Sequence, residues 1–335
     1  MKIKAFLHSM LFCKSYGSRM LEGKKPLITM PCAATFNIAP FTFNLRKAVL
    51  LFAFSFFIIH TTYASTHVEY TQADSIKVVS LLKVAKTARA DENRIIYFAK
   101  QFLGVPYVGH TLENGNSEHL IVNLHELDCT TFVETVFALA LCDKNDTRTF
   151  KDYCDNLTLI RYRNGKMTDY TSRLHYFTWW VTDNEKLGLI RDIAPSIKED
   201  AKSPFTGVQT INVNYMSKHP SLYKQLKNHP DFTPVIKMYE DLSNGKQYRY
   251  IPKKNLSWKQ SSSLGIVHSG DIVAMLTDSD GLDTRHIGIA YWQDGQLHLL
   301  HASSLYHKVI ISKETFYEYE AKQTKHTGIR VFRME

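Results

Sequence analysis

The stretch Leu127-Asp128-Cys129-Thr130-Thr131-Phe132-Val133-Glu134 places one cysteine at the start of an amphipathic segment. Apolar side chains recur at helical spacing from Phe132 to Ala140, which predicts a helix with one face in the core. Asp128 suits the N-cap position, because its carboxylate can accept from the free backbone N–H groups of the first turn. We therefore expect Cys129 in the first turn of a core helix, against which the other elements pack.

The predicted position of Cys129 suits a nucleophile. Unpaired N–H groups and the positive end of the helix dipole meet in the first turn, and both favour thiolate over thiol. A free thiol has a pKa of about 8.5, whereas cysteines at helix N-termini reach roughly 3.5–7.5. The alternative is a buried structural cysteine that opens a core helix, and this stretch alone supports both interpretations equally.

Positive charge is concentrated at the N-terminal end of the chain. The formal net charge of the 335 residues is +9, and residues 1–64 hold eight of the 41 basic and one of the 32 acidic residues. The 33 basic and 31 acidic residues that follow nearly cancel. Phosphate binding needs a concentrated basic surface, so nucleic acid is not expected as a partner.

The end of this N-terminal extension has the order of a secretory signal. Arg46 and Lys47 precede an apolar run at 48–59, and the small-residue site Thr62-Tyr63-Ala64 follows. The run is about a dozen residues, whereas a membrane span needs roughly 20. We expect a signal peptide at about 46–64 whose cleavage leaves a periplasmic or secreted protein without stable membrane insertion. A retained anchor is the alternative.

Three cysteines follow the predicted signal: Cys129, Cys142 and Cys154. An odd number in an exported protein fits one reactive thiol plus one pair, which would join Cys142 to Cys154. Two buried, reduced cysteines are the favoured interpretation, because no other pattern in the chain is typical of a disulfide framework.

Residues 65–335 are predicted to form one domain in which helices precede short strands. Helical patterns cover residues 74–88, 91–103, 129–141 and 147–159. Short β-rich runs follow at 272–276, 286–292, 297–302, 308–311 and 329–332, as in an antiparallel meander. The expected fold class is α+β, with N-terminal helices packed on an antiparallel sheet and residues 165–263 as a long insertion that lines a cleft.

The segment Gln293-Asp294-Gly295-Gln296 predicts a tight hairpin between two of these strands. Asp-Gly at the centre of a turn favours a two-residue loop. In the resulting register His301 faces Gly288, and His286 lies on the same face as a diagonal neighbour of His301, with α-carbons about 7–8 Å apart. A loop that differs by one residue would place the two imidazoles on opposite faces.

A nucleophilic thiolate needs a base, and the base needs a third group that fixes its tautomer. The hairpin offers His286 as the base and His301 as the orienting group. A metal site built from His298, His301 and His307 is the alternative, although no carboxylate or thiolate stands at ligand spacing beside them. No metal or other cofactor is expected.

Four short motifs together resemble the NlpC-type, papain-like cell-wall hydrolases. The motifs are Asp128-Cys129-Thr130, Gly270-Asp271-Ile272-Val273, His286-Ile287-Gly288-Ile289 and Leu300-His301-Ala302-Ser303. This resemblance implies a papain-like α+β core in which Cys129 is the nucleophile, His286 the base and His301 the third member. It also implies that Tyr107 lines the site near the thiol.

A narrower resemblance, to the N-acetylmuramoyl-L-alanine amidase-like branch of this family, covers residues 95–333. It rests on Leu112-Glu113, Val122-Asn123-Leu124, Arg161-Tyr162-Arg163, Ser172-Arg173-Leu174-His175-Tyr176-Phe177 and Gly281-Leu282-Asp283. The resemblance implies cleavage of the amide between muramic acid and L-alanine, with a preference for small anhydro-muropeptides. The long insertion would restrict the cleft to such fragments.

Six further residues are candidate substrate contacts: Tyr107, Asp128, Arg173, His175, Trp180 and Ser303. Arg173 is the expected cationic fork for stem-peptide carboxylates, with a surface ion pair as the alternative. Asp128 would bind a substrate amine or N–H, or serve only as a helix cap. His175 and Trp180 would flank the sugar or the peptide, with core packing as the alternative for the tryptophan.

The predicted activity is acyl transfer to water by a monomeric cysteine amidase whose partners are muropeptides. A γ-D-glutamyl-diamino acid endopeptidase is the alternative within the same fold. A non-catalytic peptidoglycan-binding module and a secreted metal-dependent hydrolase are the alternatives from other classes.

Overall fold

A computed structural model describes residues 68–88, 92–113, 115–200, 204–256 and 264–335. The predicted signal at 46–64 lies outside these described residues. Within them, no helix is both long and apolar enough to cross a membrane. The described residues from Val68 onward form one compact unit.

The α-helices of the described residues are α1 (Gln72–Ala85), α2 (Arg94–Lys100), α3 (Cys129–Lys144), α4 (Phe150–Arg161), α5 (Phe177–Lys186), α6 (Tyr215–Lys218), α7 (Lys224–Asn228), α8 (Phe232–Ser243) and α9 (Phe316–Lys322). Four of them begin with a capping box, in which the side chains of the N-cap residue and of the residue three positions later each accept a hydrogen bond from the other's backbone N–H. The N-cap residues are Thr71, Asp128, Thr149 and Thr315. These local hydrogen bonds fix where the helices start.

The strands are β1 (Val68–Tyr70), β2 (Leu120–Val122), β3 (Ile190–Asp192), β4 (Gly207–Thr210), β5 (Gln247–Pro252), β6 (Ile272–Thr277), β7 (Thr284–Gln293), β8 (Gln296–Ser303), β9 (Lys308–Ile311) and β10 (His326–Met334). Strands β1 and β2 form a small parallel pair. The main sheet has eight strands in the order β4-β5-β10-β6-β7-β8-β9, with β3 paired to β10, and its pairs are antiparallel. The fold is thus mixed α and β around an antiparallel sheet.

The order of the strands in the sequence predicted that the last strand would extend the meander, but it does not. β10 returns between β5 and β6, while β6 to β9 form the expected meander. Residues 328–332 of β10 are buried on both faces. A strand covered on both faces belongs in the interior of a sheet, because an edge position would expose its apolar side chains and unpaired backbone.

Helix α3 is more deeply buried than the amphipathic pattern predicted. Every side chain from Thr131 to Cys142 is buried, because α1, α2 and α4 pack around the helix on the sides away from the sheet. Cys142 and Cys154 are both buried and free, so the prediction of reduced cysteines is confirmed. The helix that carries Cys129 is therefore held rigidly against β7 and β8.

The insertion predicted at 165–263 contains helices α5 to α8 and strands β3 to β5. Strands β4 and β5 lengthen the main sheet beyond β10, which the weak sequence pattern of this region did not predict. Helix α5 packs against the core through Trp180, whose ring lies 6.0 Å from that of Phe137 in α3.

Candidate active site

Cys129 is the first residue of α3, and Asp128 is its N-cap, as predicted. The Thr131 backbone N–H donates to Asp128 Oδ1 at 2.8 Å, and the Asp128 N–H donates to Thr131 Oγ1 at 2.9 Å. The structure thus supports the helix-cap interpretation of Asp128. Cys129 remains partly exposed at the start of a helix whose residues 131–142 are buried, and a nucleophile must be reachable in this way to meet substrate.

The Cys129 thiol is not poised as a thiolate, which differs from our expectation. Burial raises its pKa to about 12, and the Asp128 carboxylate raises it further. The backbone N–H of Ile287, the Thr130 hydroxyl and the N–H of Cys129 itself oppose this rise without cancelling it. The resting group is a neutral thiol, so its reaction needs a base that removes the proton during attack.

The hairpin between β7 and β8 has the predicted register. Gln293 pairs with Gln296 across the two-residue turn, and Ile289 pairs with Leu300 further along. His286 Nε2 and His301 Nδ1 are 2.6 Å apart, with ring planes at 78°. The prediction that both imidazoles lie on one face and meet is therefore confirmed.

Both imidazoles are uncharged near neutral pH. Burial lowers the pKa of His301 to about 4, against the opposing effect of the Glu314 carboxylate. Burial also lowers the pKa of His286 well below 6.5, with further lowering from His301 and His326. A neutral imidazole can accept a proton, so this pair is suited to act as a base at pH 7.

The thiol and the imidazole pair belong to the same site. The Ile287 N–H that faces the Cys129 sulfur is the backbone group next to His286. Burial raises the pKa of Tyr107 to about 12, and the nearby Cys129 and Asp128 raise it further. The structure therefore brings together four of the predicted site residues. They are Tyr107 in the loop before α3, Cys129 at the start of α3, His286 in β7 and His301 in β8.

Ser303 lies at the end of β8 and is buried. Its Oγ accepts from the Tyr306 backbone N–H at 3.2 Å, which holds the turn into β9. The same turn supports Tyr107, whose N–H donates to the carbonyl of His307 at 3.0 Å. Ser303 thus stabilises the turn whose backbone binds Tyr107, rather than being shown to face the thiol.

Arg173 is not the open cationic fork that we expected. Its side chain is buried, with nitrogens 2.5 Å from Glu113 Oε1 and 3.4 Å from Glu118 Oε1. It also donates to the carbonyl of Leu112 at 3.1 Å. The alternative of a surface ion pair is also wrong, because this pair is buried. Arg173 fastens the insertion to the loop that follows Tyr107 rather than facing solvent.

His175 and Trp180 also differ from the expected cleft-lining positions. His175 Nε2 lies 2.7 Å from the carbonyl of Tyr170, and its ring packs against the Tyr170 ring. Trp180 is 2% exposed and stacks on Phe177 at 5.4 Å. Since its ring is enclosed by core side chains, Trp180 follows the alternative interpretation as a packing residue.

His298, which the alternative metal site required, points away from His301. Its Nδ1 lies 3.0 Å from the carbonyl of Ser312 and 3.1 Å from that of Glu314. Across the described ranges, no three His, Cys, Asp or Glu side chains are grouped as a metal site would require.

Sequence reasoning missed one residue of this site, Tyr319 in α9. Its ring lies 5.4 Å from the His301 ring at 77°, and the Cys129 sulfur contributes to the rise in its pKa. Nothing in the local sequence could have found it, because α9 follows β9 in the chain and reaches the site only through tertiary packing.

With this geometry in place, the comparisons with known proteins define the class. A family model described as AmiA-like, N-acetylmuramoyl-L-alanine amidase-like, matches residues 97–329. The chain belongs to this family, and the matched residues include helix α3, strands β6 to β9 and all the site residues discussed above. A search of curated proteins gave no match.

Solved structures agree with this assignment. An N-acetylmuramoyl-L-alanine amidase from Bacteroides uniformis ATCC 8492 is 39% identical, with 72% of this chain and 97% of that chain covered and a TM-score of 0.66. A Bacteroides fragilis protein described as a xylanase is 41% identical, covering 71% of this chain and 99% of that one, with a TM-score of 0.64. A Legionella pneumophila protein at 22% identity, covering 78% and 94% with a TM-score of 0.60, shares the fold.

Proposed function

We propose that this protein is a cysteine amidohydrolase with an NlpC-type, papain-like core that cleaves the N-acetylmuramoyl-L-alanine amide of small muropeptides, including anhydro-muropeptides. The observation that carries the proposal is the neutral His286–His301 pair, joined at 2.6 Å, beside the strand position whose N–H faces the Cys129 sulfur. Membership of an amidase-like family supports amide hydrolysis in peptidoglycan.

In the first half of the reaction, Cys129 attacks the lactyl carbonyl of the muramoyl group. The sulfur–carbon bond forms while the thiol proton passes to His286 Nδ1, and the Cys129 N–H stabilises the oxyanion. For Nδ1 to be free to accept, His286 Nε2 carries a hydrogen and donates it to His301 Nδ1. The carbon–nitrogen bond then breaks, and His286 returns the proton to the amine of L-alanine.

In the second half, water hydrolyses the thioester. His286 accepts a proton from water as the oxygen attacks, the sulfur–carbon bond breaks, and the proton returns to the Cys129 sulfur. The products are the muramic acid carboxylate and the free stem peptide. Because burial raises the pKa of the Cys129 thiol, the first step in this proposal includes removal of the thiol proton by His286.

The insertion supports a preference for small fragments. Arg173 in this segment is bound to Glu113 and Glu118 in the loop after Tyr107, so the insertion is anchored close to the site. A wall held by a buried ion pair does not open easily to admit a polymeric glycan strand. We propose an exported location, periplasmic or secreted, in keeping with a cell-wall substrate, and a monomer.

Mass spectrometry of the products from a defined anhydro-muropeptide tests the proposal. Release of the intact stem peptide from L-alanine onward supports the amidase, whereas cleavage after γ-D-glutamate would show the endopeptidase. Cys129→Ser should abolish release, and Cys154→Ala is the matched control because Cys154 is a free cysteine in a different helix, α4. Binding without turnover by the wild-type protein would instead indicate a binding module. Loss of activity with a chelator, together with resistance to thiol alkylation, would indicate the metal-dependent alternative.

A further inference from the structure

A β-bulge in β10 turns His326 to the face of the sheet that carries the histidine pair. His286 pairs with Met275 in β6, and residues directly opposite each other on neighbouring strands point to the same face. Thr277 lies two residues beyond Met275 on that face, and its partner in β10 is His326. The register of β10 shifts between His326 and Gly328, so the bulge re-aims the imidazole. In a regular register, position 326 would point to the opposite face.

Helix α9 covers the same face and meets His326 there. Phe316 in its first turn belongs to the same buried apolar cluster as Met275. Glu320, four residues later, is 1% exposed, and its Oε1 and Oε2 lie 3.1 Å and 3.2 Å from His326 Nδ1. The carboxylate accepts and Nδ1 donates, in a place that water does not reach. This buried pair therefore fixes the last turn of α9 to the start of β10.

The residue before Glu320 contacts the histidine pair. The Tyr319 ring lies 5.4 Å from the His301 ring at 77°, and His301 Nδ1 lies 2.6 Å from His286 Nε2. His326 also contributes to the lowered pKa of His286, which agrees with their place on one face. Adjacent residues of one helical turn shift together, because the helix backbone is a rigid element. A continuous series of contacts thus runs from His326 through Glu320, Tyr319 and His301 to His286.

We infer that Glu320 and His326 are positioning residues, which hold His301 in line with His286 through the ring of Tyr319. This inference rests on the proposed amidase function, in which His286 is the base. Desolvation of a buried polar pair cancels much of the free energy that its hydrogen bonds supply, so such a pair adds little net stability. Its hydrogen bonds are directional, whereas apolar burial is not. The pair is therefore expected to fix the placement of α9 more than the stability of the fold.

Replacement of both partners by leucine, Glu320→Leu with His326→Leu, separates these two effects. Apolar replacement of a whole buried pair is often neutral or stabilising, so the urea unfolding midpoint should be kept. We expect kcat for peptide release to fall about tenfold, within the loss expected for the His301 hydrogen bond itself. In a His301→Gln background, the same two substitutions should cause no further loss, because they act through His301.

Single substitutions and a second ion pair provide the controls. Glu320→Ala removes only the acceptor and should lower kcat to a similar extent, whereas Glu320→Gln keeps an oxygen for His326 Nδ1 and should retain wild-type kcat. Asp192→Ala is the matched control. It breaks an ion pair with the buried Arg330, 2.8 Å away, in the same strand as His326. Arg330 lies between two residues of the cluster under α9 and points to the other face, so this variant should lose stability without losing kcat.

Three results would overturn the inference: wild-type kcat in the folded double-leucine and Glu320→Ala variants, a further loss in the His301→Gln background, or an equal fall in kcat in Asp192→Ala. Absence of peptide release by the wild-type protein would instead refute the proposed function. The placement is then tested without turnover, by NMR of the histidine ring nitrogens. The signals of His286 and His301 should shift in the double-leucine variant and not in Asp192→Ala, and unchanged signals would overturn the inference as well.

Discussion

His286 and His301 are joined by a 2.6 Å contact between Nε2 of the first and Nδ1 of the second, across neighbouring strands of one hairpin. His301 is 1% exposed and its Nε2 has no partner among the described side chains and backbone groups. Because its Nδ1 is directed at His286, His301 is placed to stabilise the positive charge that His286 gains when it accepts the thiol proton.

We therefore predict unequal losses for the two histidines. His286→Ala should lower kcat by about 10²- to 10⁴-fold, as expected for a general base. His301→Gln should lower it by roughly 10- to 100-fold, the effect of one hydrogen bond to a charged group. Because the residues act as a unit, the double variant should be no worse than His286→Ala alone. Additive losses in steady-state kinetics would contradict the pairing.

Gly288 makes room for this pair, and Gly288→Ala should disturb it. A Cβ at this position would lie 2.7 Å from Leu299 Cδ1 and 3.0 Å from His301 Cβ, closer than packed atoms allow. We expect the free energy of unfolding to fall by about 1–3 kcal/mol, with loss of turnover as His301 moves. Gly109→Ala, where an added Cβ meets nothing within 4 Å, is the control for thermal and urea unfolding. Equal stabilities of the two variants would contradict the tight packing at Gly288.

The reactivity of Cys129 should depend steeply on pH. Its pKa is raised to about 12, so the thiolate fraction should rise about tenfold for each unit between pH 7 and pH 10. Iodoacetamide alkylation followed by mass spectrometry should show this rise at Cys129. The variant Cys129→Ala is the control that measures alkylation of Cys142 and Cys154 alone. A rate that is already constant from pH 5 upward would reveal a thiolate–imidazolium pair instead.

Arg173→Gln should destabilise the protein rather than change substrate affinity alone. Removal of the guanidinium leaves the buried Glu118 carboxylate, whose pKa burial already raises, without its cationic partner. We expect a loss of about 3–5 kcal/mol in the free energy of unfolding. Arg191→Gln is the matched control, because its ion pair with Glu335 is half-exposed and contributes about 0–1 kcal/mol. A raised KM with unchanged stability would restore Arg173 as a substrate contact.

Local signals in the sequence determined the start of α3, its cap at Asp128 and the facing histidines of the hairpin. Each depends on a few neighbouring residues: a capping side chain with apolar helical spacing, or an Asp-Gly turn that sets strand register. The resemblance to cell-wall amidases was likewise carried by short motifs, and the family match agrees with it.

Tertiary structure alone decided what surrounds those residues. Burial made Cys129 a neutral thiol, enclosed Trp180 in the core and bound Arg173 to Glu113 and Glu118. Packing of α9 brought Tyr319 to His301. Desolvation and contacts between distant segments depend on how whole elements pack, and no local periodicity encodes them.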